Sequence, residues 1–183
     1  MSKIGRKSID ISGLQVSVHG QVVEYKGPKA SGVYRLPEVL KAEIVSSRLL
    51  LVPAADSERG KNRLLNAQWG LHRALLANKM QGARKLFATE VQINGLGFKA
   101  VPSGGSLIMS LGYSHKINFP LPEDVVVSVD KLGQKLIFES SDKVCLGATV
   151  GKFRALKEPN VYKGTGIKRA GEVLVRKAGK KKA

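Results

Sequence analysis

The chain has 183 residues, of which 43% are apolar, and its formal net charge at pH 7 is +17. This length and apolar content are sufficient for one large or two small packed domains. No apolar run approaches the roughly 18 residues of a membrane span, and the single cysteine, Cys145, excludes an internal disulfide and a cysteine-cluster zinc site. The charge indicates a phosphate-rich partner, because basic side chains that neutralise phosphates release condensed counterions.

In chain order, the sequence begins with a basic segment that contains Lys3, Arg6 and Lys7 but lacks the hydrophobic stretch of a secretory signal. Alternating apolar residues then predict half-buried strands centred on residues 14–18, 49–52, 91–93, 107–111, 125–129 and 136–138. Glycine-containing turns separate several of these strands. Asn94-Gly95 and Ser103-Gly104-Gly105 supply residues that adopt a positive φ, and Asn94-Gly95 in particular predicts a hairpin.

Two segments have helical periodicity, over about residues 62–79 and about residues 143–156. Trp69 in the first helix is interpreted as a packing residue. In the second helix, Gly147 and Gly151 are expected to permit close approach to a sheet. In the first helix, the predicted buried face consists of Leu64, Ala67, Leu71, Ala74 and Leu75, and the opposite face carries Asn62, Arg63, Asn66 and Arg73. In the second helix, the predicted buried face consists of Leu146, Val150 and Phe153.

Three short matches recur in the same order at offsets of 75, 85 and 81 residues, which indicates a duplicated module. The matching segments are 16–20 with 91–95, 36–38 with 121–123, and 73–76 with 154–157. The predicted fold is therefore α+β, with two tandem domains that each pack a mostly antiparallel sheet against one helix. The predicted boundaries are 1–81 for the first repeat, 82–157 for the second, and 158–183 for a basic C-terminal extension.

The extension is the most informative part of the sequence. From Asn160 onward, eight basic residues and one acid give a charge of +7 in 24 residues. Ordering its last roughly 20 residues costs about 20–40 kcal/mol of backbone entropy, whereas its few large apolar residues return about 6–12 kcal/mol. We therefore expect the extension to need a polyanion, most simply RNA, to become ordered. A solvated, solubilising tail is the alternative, although such a tail requires neither its glycines nor Tyr162.

Catalytic and metal chemistry find little support in the sequence. His19, His72 and His115 lie far apart without carboxylates at ligand spacing, so we interpret them as bonded or exposed surface residues. Cys145 falls among apolar residues at a predicted helix start and is interpreted as a buried, inert thiol. The expectation is a non-enzymatic protein without a metal, a cofactor or a membrane partner. A DNA-architectural protein and an enzyme that acts on RNA are the alternative functions.

A second basic group surrounds the first helix and the junction between the two repeats. A solvated helix face explains this group as well as a binding surface does. Its members are Arg59, Lys61, Arg63, Arg73, Lys79, Arg84 and Lys85.

Several motifs together resemble one known family. The segment Lys157-Glu158-Pro159-Asn160-Val161-Tyr162-Lys163-Gly164-Thr165-Gly166-Ile167-Lys168 and the segments 2–6, 69–76, 91–100 and 111–115 carry the likeness. They are similar to the bacterial form of the sixth protein of the large ribosomal subunit, in matching order over nearly the whole chain. Two positions differ from the common family pattern: Thr165 stands where lysine is common, and Arg169 where an aromatic residue is common. The segment before Tyr162 is one residue longer than in many relatives.

The resemblance implies a structural role in the large subunit, with binding to large-subunit ribosomal RNA near the site where elongation factors act. It also implies neighbouring ribosomal proteins and nearby translation factors as partners, on a cytoplasmic or organellar ribosome. The family's RNA contact is concentrated in the C-terminal domain and tail, where the charge is also highest. The predicted RNA-binding residues are Tyr162, Lys163, Gly164, Gly166, Lys168, Arg169, Arg176, Lys177 and Lys180, with Lys3 and Arg6 from the N-terminal segment.

Overall fold

The structure is a computed structural model that describes residues 2–54 and 63–179. Contacts divide the chain into two compact units, Met1–Leu86 and Phe87–Ala183. Strands and helices occur in both units, and every strand pairing in the described ranges is antiparallel. The predicted α+β class is confirmed.

The strands of the first unit form two three-stranded sheets, with the orders β1-β6-β5 and β2-β3-β4. Its buried core includes Leu40, Leu49 and Leu76. Its elements are β1 (Ile9–Asp10), β2 (Gln15–His19), β3 (Val22–Lys26), β4 (Ser31–Arg35), β5 (Leu40–Val45), β6 (Arg48–Pro53) and α1 (Arg63–Arg84).

The second unit repeats this plan and adds one strand, in sheets of order β8-β9-β10 and β11-β12-β7-β13. Phe153 lies at the centre of its core, with edge-to-face contacts to Phe119 and Phe138 at ring distances of 5.5 and 5.2 Å. Its elements are β7 (Phe87–Asn94), β8 (Lys99–Ser103), β9 (Ser106–Ser110), β10 (Ile117–Pro120), β11 (Val125–Val129), β12 (Lys135–Ser140), α2 (Lys143–Ala155) and β13 (Gly166–Arg169).

The strand orders define which elements correspond between the two units. β7 takes the place of β1 beside the strand that precedes the helix, and β8-β9-β10 takes the place of β2-β3-β4. Two of the three sequence matches agree with this correspondence: the match of Leu36 with Leu121 and the match between the two helices. The match between segments 16–20 and 91–95 does not, because it aligns β2 with β7 rather than with β8. The predicted boundary between residues 81 and 82 falls inside α1.

The predicted buried face of α1 is wrong by about one position. Leu64 and Leu71 are 73% and 54% exposed, whereas Leu65, Trp69 and Leu76 are buried. The indole explains this rotation, because Trp69 Nε1 donates to the Leu51 carbonyl over 2.8 Å and the ring lies against Gly5. A large buried side chain with a fixed hydrogen bond sets which face points inward.

The predicted face of α2 is confirmed, since Leu146, Val150 and Phe153 are all buried. The expected role of its glycines is wrong. Gly147 and Gly151 are exposed, with open space where a Cβ would stand, so they do not mediate the approach of α2 to the sheet. Cys145 is partly buried against the core.

The hairpin predicted at Asn94-Gly95 is also wrong, because β7 pairs with β12 and β13 instead of β8. This turn carries the chain from one sheet to the other. The Ser103-Gly104-Gly105 segment forms a tight turn with positive-φ glycines, as predicted, and this turn is the hairpin between β8 and β9, in which Ser103 pairs with Ser106.

The expectation that the extension orders only on a polyanion is wrong for its described part. Residues Gly166–Arg169 form β13, which pairs with β7, and the Ile167 side chain is fully buried in the core. The rest of the second unit supplies strand hydrogen bonds and core surface that an isolated extension lacks, so burial within the extension alone understates its stability. Residues 180–183 lie outside the described residues.

The hairpin between β5 and β6 has an unfavourable turn. Ser46 and Ser47 both adopt positive φ, 44° and 63°, and join Val45 to its partner Arg48. Replacing them with Asn-Gly should raise the free energy of unfolding of the first unit by roughly 1 kcal/mol, because this pair suits the two positions better. Denaturant unfolding followed by the fluorescence of Trp69, the single tryptophan, measures the change. The control Ser31→Gly, at an exposed position of β4 without positive φ, should not stabilise the first unit. An unchanged midpoint in the Asn-Gly variant would contradict the assignment.

The burial of Ile167 gives a second prediction. Ile167→Ala should destabilise the RNA-free second unit by roughly 2–5 kcal/mol, because it opens a cavity in the core. Val175→Ala is the matched control, since Val175 is in the same extension but 84% exposed and should change stability little. Guanidinium unfolding followed by circular dichroism measures both. Equal stability of the two variants would show that β13 is not docked in the free protein.

Candidate nucleic-acid interface

A loop of residues 160–165, which we call the Asn160 loop, follows α2. The Asn160 side-chain oxygen accepts hydrogen bonds from the backbone N–H groups of Tyr162 and Lys163, at 2.8 and 3.2 Å. Its backbone closes the loop, because Asn160 N donates to the Thr165 carbonyl over 2.8 Å and Gly164 N donates to the Asn160 carbonyl over 2.7 Å. Asparagine suits this role because its side chain imitates a turn of the backbone. The loop leaves Tyr162, which is 58% exposed, and Lys163 facing solvent.

The two glycines of the motif are required by the fold itself. Gly164 and Gly166 are buried and have φ values of 72° and 139°, a region that other residues rarely adopt. A Cβ on Gly166 would also lie 2.7 Å from the Glu158 carbonyl oxygen, and one on Gly164 would lie 2.7 Å from the Arg176 guanidinium. A direct approach of phosphate to either glycine stays a prediction.

Beyond β13, the chain turns at Gly171 and is attached to α2 by Glu172. One carboxylate oxygen accepts from the Arg154 guanidinium over 2.6 Å, and the other accepts from the Arg169 backbone N–H over 3.1 Å. The hydrogen bond from Arg154 and then that from Arg169 lower the pKa of Glu172 below the ordinary glutamate value. Glu172, the single acid from Asn160 onward, thus stabilises the turn, a role that its charge alone did not reveal.

After Glu172 the chain runs back beside the Asn160 loop. Lys177 N donates to the Val161 carbonyl over 3.0 Å, and the Arg176 guanidinium packs on Gly164. The structure therefore brings the exposed groups of Tyr162, Lys163, Arg176 and Lys177 together. We call these four residues the tail surface.

The remaining predicted RNA-binding residues lie elsewhere. Lys168 is half-buried and Arg169 is exposed at the end of β13. Lys3 and Arg6 are exposed in the first unit, on a segment attached to α1 by a hydrogen bond from Ser2 N to the Asn66 side chain over 3.2 Å. Lys180 lies outside the described residues.

Part of the second basic group has a structural role within the first unit. Arg73 donates to the Lys7 and Ser8 carbonyl oxygens, each over 3.0 Å, and Arg84 forms a 3.0 Å ion pair with Asp10. Hydrogen bonds from the Ser12 backbone and hydroxyl, followed by the one from Arg84, lower the pKa of Asp10. These two arginines stabilise the fold rather than form an unoccupied basic face. Arg59 and Lys61 of the same group fall outside the described ranges.

The remaining features to describe are the environments of the histidines, the possible metal ligands and the character of the two helices. His72 Nδ1 is bonded to the Tyr34 hydroxyl at 2.8 Å, and His115 is exposed, as predicted. Within residues 2–54 and 63–179, no group of three His, Cys, Asp or Glu residues is placed to hold a metal ion. Neither helix in those ranges combines the length and apolarity needed to cross a membrane.

Comparison with known proteins identifies the family. Large ribosomal subunit protein uL6 from Methylacidiphilum infernorum is 41% identical over 181 residues, which is 98% of each chain. The uL6 proteins from Azorhizobium caulinodans and Geobacter metallireducens are 37% and 39% identical, over 100% and 98% of each chain. The chain belongs to the uL6 family.

A scan against protein-family models gave no match. The uL6 relatives align over their full length, so the resemblance found in the motifs is confirmed along the whole chain. The sequence motifs did not reveal two residues, Asn160 and Glu172, that position the tail surface of this uL6 member. Asn160 was visible as a turn-forming residue two positions before Tyr162, whereas the pairing of Glu172 with Arg154 required the folded structure.

The lowered pKa of Glu172 predicts how the tail surface responds to acid. Because the folded-state pKa is depressed, the carboxylate stabilises the fold above its unfolded-state pKa, and this contribution is lost as pH falls through the folded-state pKa. In a carbon-13 NMR titration, the Glu172 carboxyl should titrate below the ordinary glutamate value of about 4.3. The Arg169 amide proton should shift over the same pH range.

The control is Glu172→Gln, which should remove this inflection from the Arg169 amide. A Glu172 carboxyl that titrates at or above the ordinary value would show that Arg154 and the Arg169 amide do not hold it in solution.

Proposed function

We propose that this chain is a structural, non-catalytic protein of the large ribosomal subunit and that its tail surface binds large-subunit ribosomal RNA. The observation that carries the proposal is the full-length similarity to proteins named large ribosomal subunit protein uL6, at 33–41% identity. The relatives are bacterial, which supports a cytoplasmic ribosome as the location. Neighbouring ribosomal proteins are proposed as further partners.

The charge and geometry of the tail surface support RNA as its ligand. Lys163, Arg176 and Lys177 are exposed on a folded segment, so they are suited to charge-assisted hydrogen bonds with phosphate oxygens. Because hydrogen bonds within the chain already position them, binding loses less conformational entropy than the ordering of a free tail would. Tyr162 adds an exposed ring that can pack on a sugar or stack on a base.

We expect selectivity to come from the shape of folded RNA and not from base sequence. Basic side chains contact phosphates, which carry no sequence information, and their fixed spacing selects a matching arrangement of phosphates. We place the binding site on the large subunit near the region where elongation factors act, so that translation factors are close partners.

The proposal predicts a salt dependence that is specific to the tail surface. The double variant Lys163→Ala/Lys177→Ala should bind large-subunit RNA roughly ten- to hundredfold more weakly, because it loses two phosphate contacts. The slope of log affinity against log salt concentration should become less steep by about two. Filter binding or anisotropy at several salt concentrations measures both quantities with the full chain.

The control is Lys41→Ala/Lys131→Ala, which removes the same charge from exposed positions on β5 and on the β11–β12 turn. It should leave affinity and slope nearly unchanged. Equal weakening in both variants would show diffuse charge attraction in place of a defined surface. Displacement of the RNA by an equal mass of duplex DNA would favour a general polyanion binder.

The location on the subunit is tested separately. Ultraviolet crosslinking of intact large subunits, followed by sequencing of RNA attached to peptides that contain Tyr162, should identify RNA of the factor-binding region. Crosslinks confined to a distant part of the RNA would overturn the location but not the RNA binding.

A further inference from the structure

The second unit carries another exposed surface with the chemistry of a nucleotide-binding site. Tyr113, His115 and Lys116 lie on the exposed loop between β9 and β10, next to Lys157, and we call these four residues the Tyr113 cluster. We propose that the Tyr113 cluster binds an unpaired nucleotide of the RNA, with a base stacked on its aromatic rings and the adjacent phosphates held by its lysines. This inference rests on the proposed function and adds a site that charge alone does not indicate.

The loop that carries the cluster is held in a defined position. Leu111 at its start is fully buried, and Gly112 adopts a φ of 75° directly against the Phe98 ring. The Tyr113 hydroxyl donates to the Leu156 carbonyl over 3.1 Å, at the end of α2. A ring fixed at both its backbone and its hydroxyl loses little freedom when a ligand packs on it.

The aromatic groups have the geometry of a stacking platform. The rings of Tyr113 and His115 lie within 25° of parallel, with centroids 6.2 Å apart. Tyr113 is 45% exposed and His115 is also exposed, so aromatic surface remains open to solvent. Stacking on such a platform is tolerant of base identity, because every base has a π face.

The cationic groups add phosphate affinity beside the platform. Lys157 Nζ lies 4.2 Å from the centre of the Tyr113 ring, in a cation–π contact, and Lys116 is exposed. The Lys157 carbonyl also accepts a hydrogen bond from Ile167 N over 2.8 Å, which joins the cluster to β13. The Tyr113 cluster is thus attached to β13, the strand that directly follows the Asn160 loop.

A purely structural role explains only part of these contacts. The Tyr113 hydroxyl bond and the Lys157 contact fasten the loop to α2, but neither requires an exposed imidazole nearly parallel to the phenol ring. His115 is therefore the residue on which the two interpretations differ, and its replacement leaves the bond between Tyr113 and Leu156 in place.

The test compares His115→Ala, His115→Phe and the control Ser114→Ala in the full chain, with large-subunit ribosomal RNA as the ligand. We expect His115→Ala to weaken binding roughly five- to hundredfold with little change in the salt slope, because a stacking contact is lost without loss of a phosphate contact. His115→Phe should retain binding within about twofold, and Ser114→Ala should match the unaltered protein. Thermal melting should show that all three variants fold.

The other outcomes separate this inference from the proposed function. Unchanged binding by His115→Ala, together with weak binding by Lys163→Ala/Lys177→Ala, would overturn the nucleotide site and leave RNA binding by the tail surface intact. Equal loss in His115→Ala and His115→Phe would overturn stacking in particular. Unchanged binding in all of these variants would overturn both proposals.

Discussion

The pairing of β13 with β7 is the interaction on which the functional surface depends. It buries Ile167 in the core of the second unit and thereby fixes where the basic chain leaves the sheet. The Asn160 loop before it and the turn at Glu172 after it can then close against each other. Without this strand, the lysines and arginines of the extension would be spread over many conformations, and RNA would have to supply the free energy of ordering them. With it, the second unit already orders them.

Sequence periodicity predicted the fold where one side of an element is clearly apolar. The stripe of α2 is an example, since Leu146, Val150 and Phe153 have polar or small residues around them. α1 has leucines at adjacent positions, so periodicity alone could not decide between Leu64 and Leu65. The hydrogen bond from the Trp69 indole to the Leu51 carbonyl of β6 determines which leucine is buried, and this bond is a tertiary contact. The same limit applies to Asn94-Gly95, which forms a turn as predicted but joins two sheets.

The candidate site was predictable in composition but not in architecture. Charge and the glycine motif located the extension, and the resemblance to a known family indicated RNA. Neither could show that the Glu172 carboxylate accepts a hydrogen bond from Arg154, because the two residues are 18 positions apart in sequence and meet only in the folded chain. The order of the extension could not be predicted from its own residues either, because a strand added to an existing sheet gains hydrogen bonds and a preformed apolar surface that an isolated peptide lacks.

One arginine of each helix binds a basic segment within residues 2–54 and 63–179. Arg73 in α1 and Arg154 in α2 occupy matching positions of the repeated helix, because the buried residues Leu65 and Leu146 are separated by the same 81 residues. Arg73 binds backbone carbonyls of the N-terminal segment, whereas Arg154 binds Glu172 of the extension. The two helices therefore use the same position to bind a basic segment of their own unit. A carboxylate holds the guanidinium more strongly than a neutral carbonyl oxygen does, so the hydrogen bond to Glu172 is stronger than either bond that Arg73 makes.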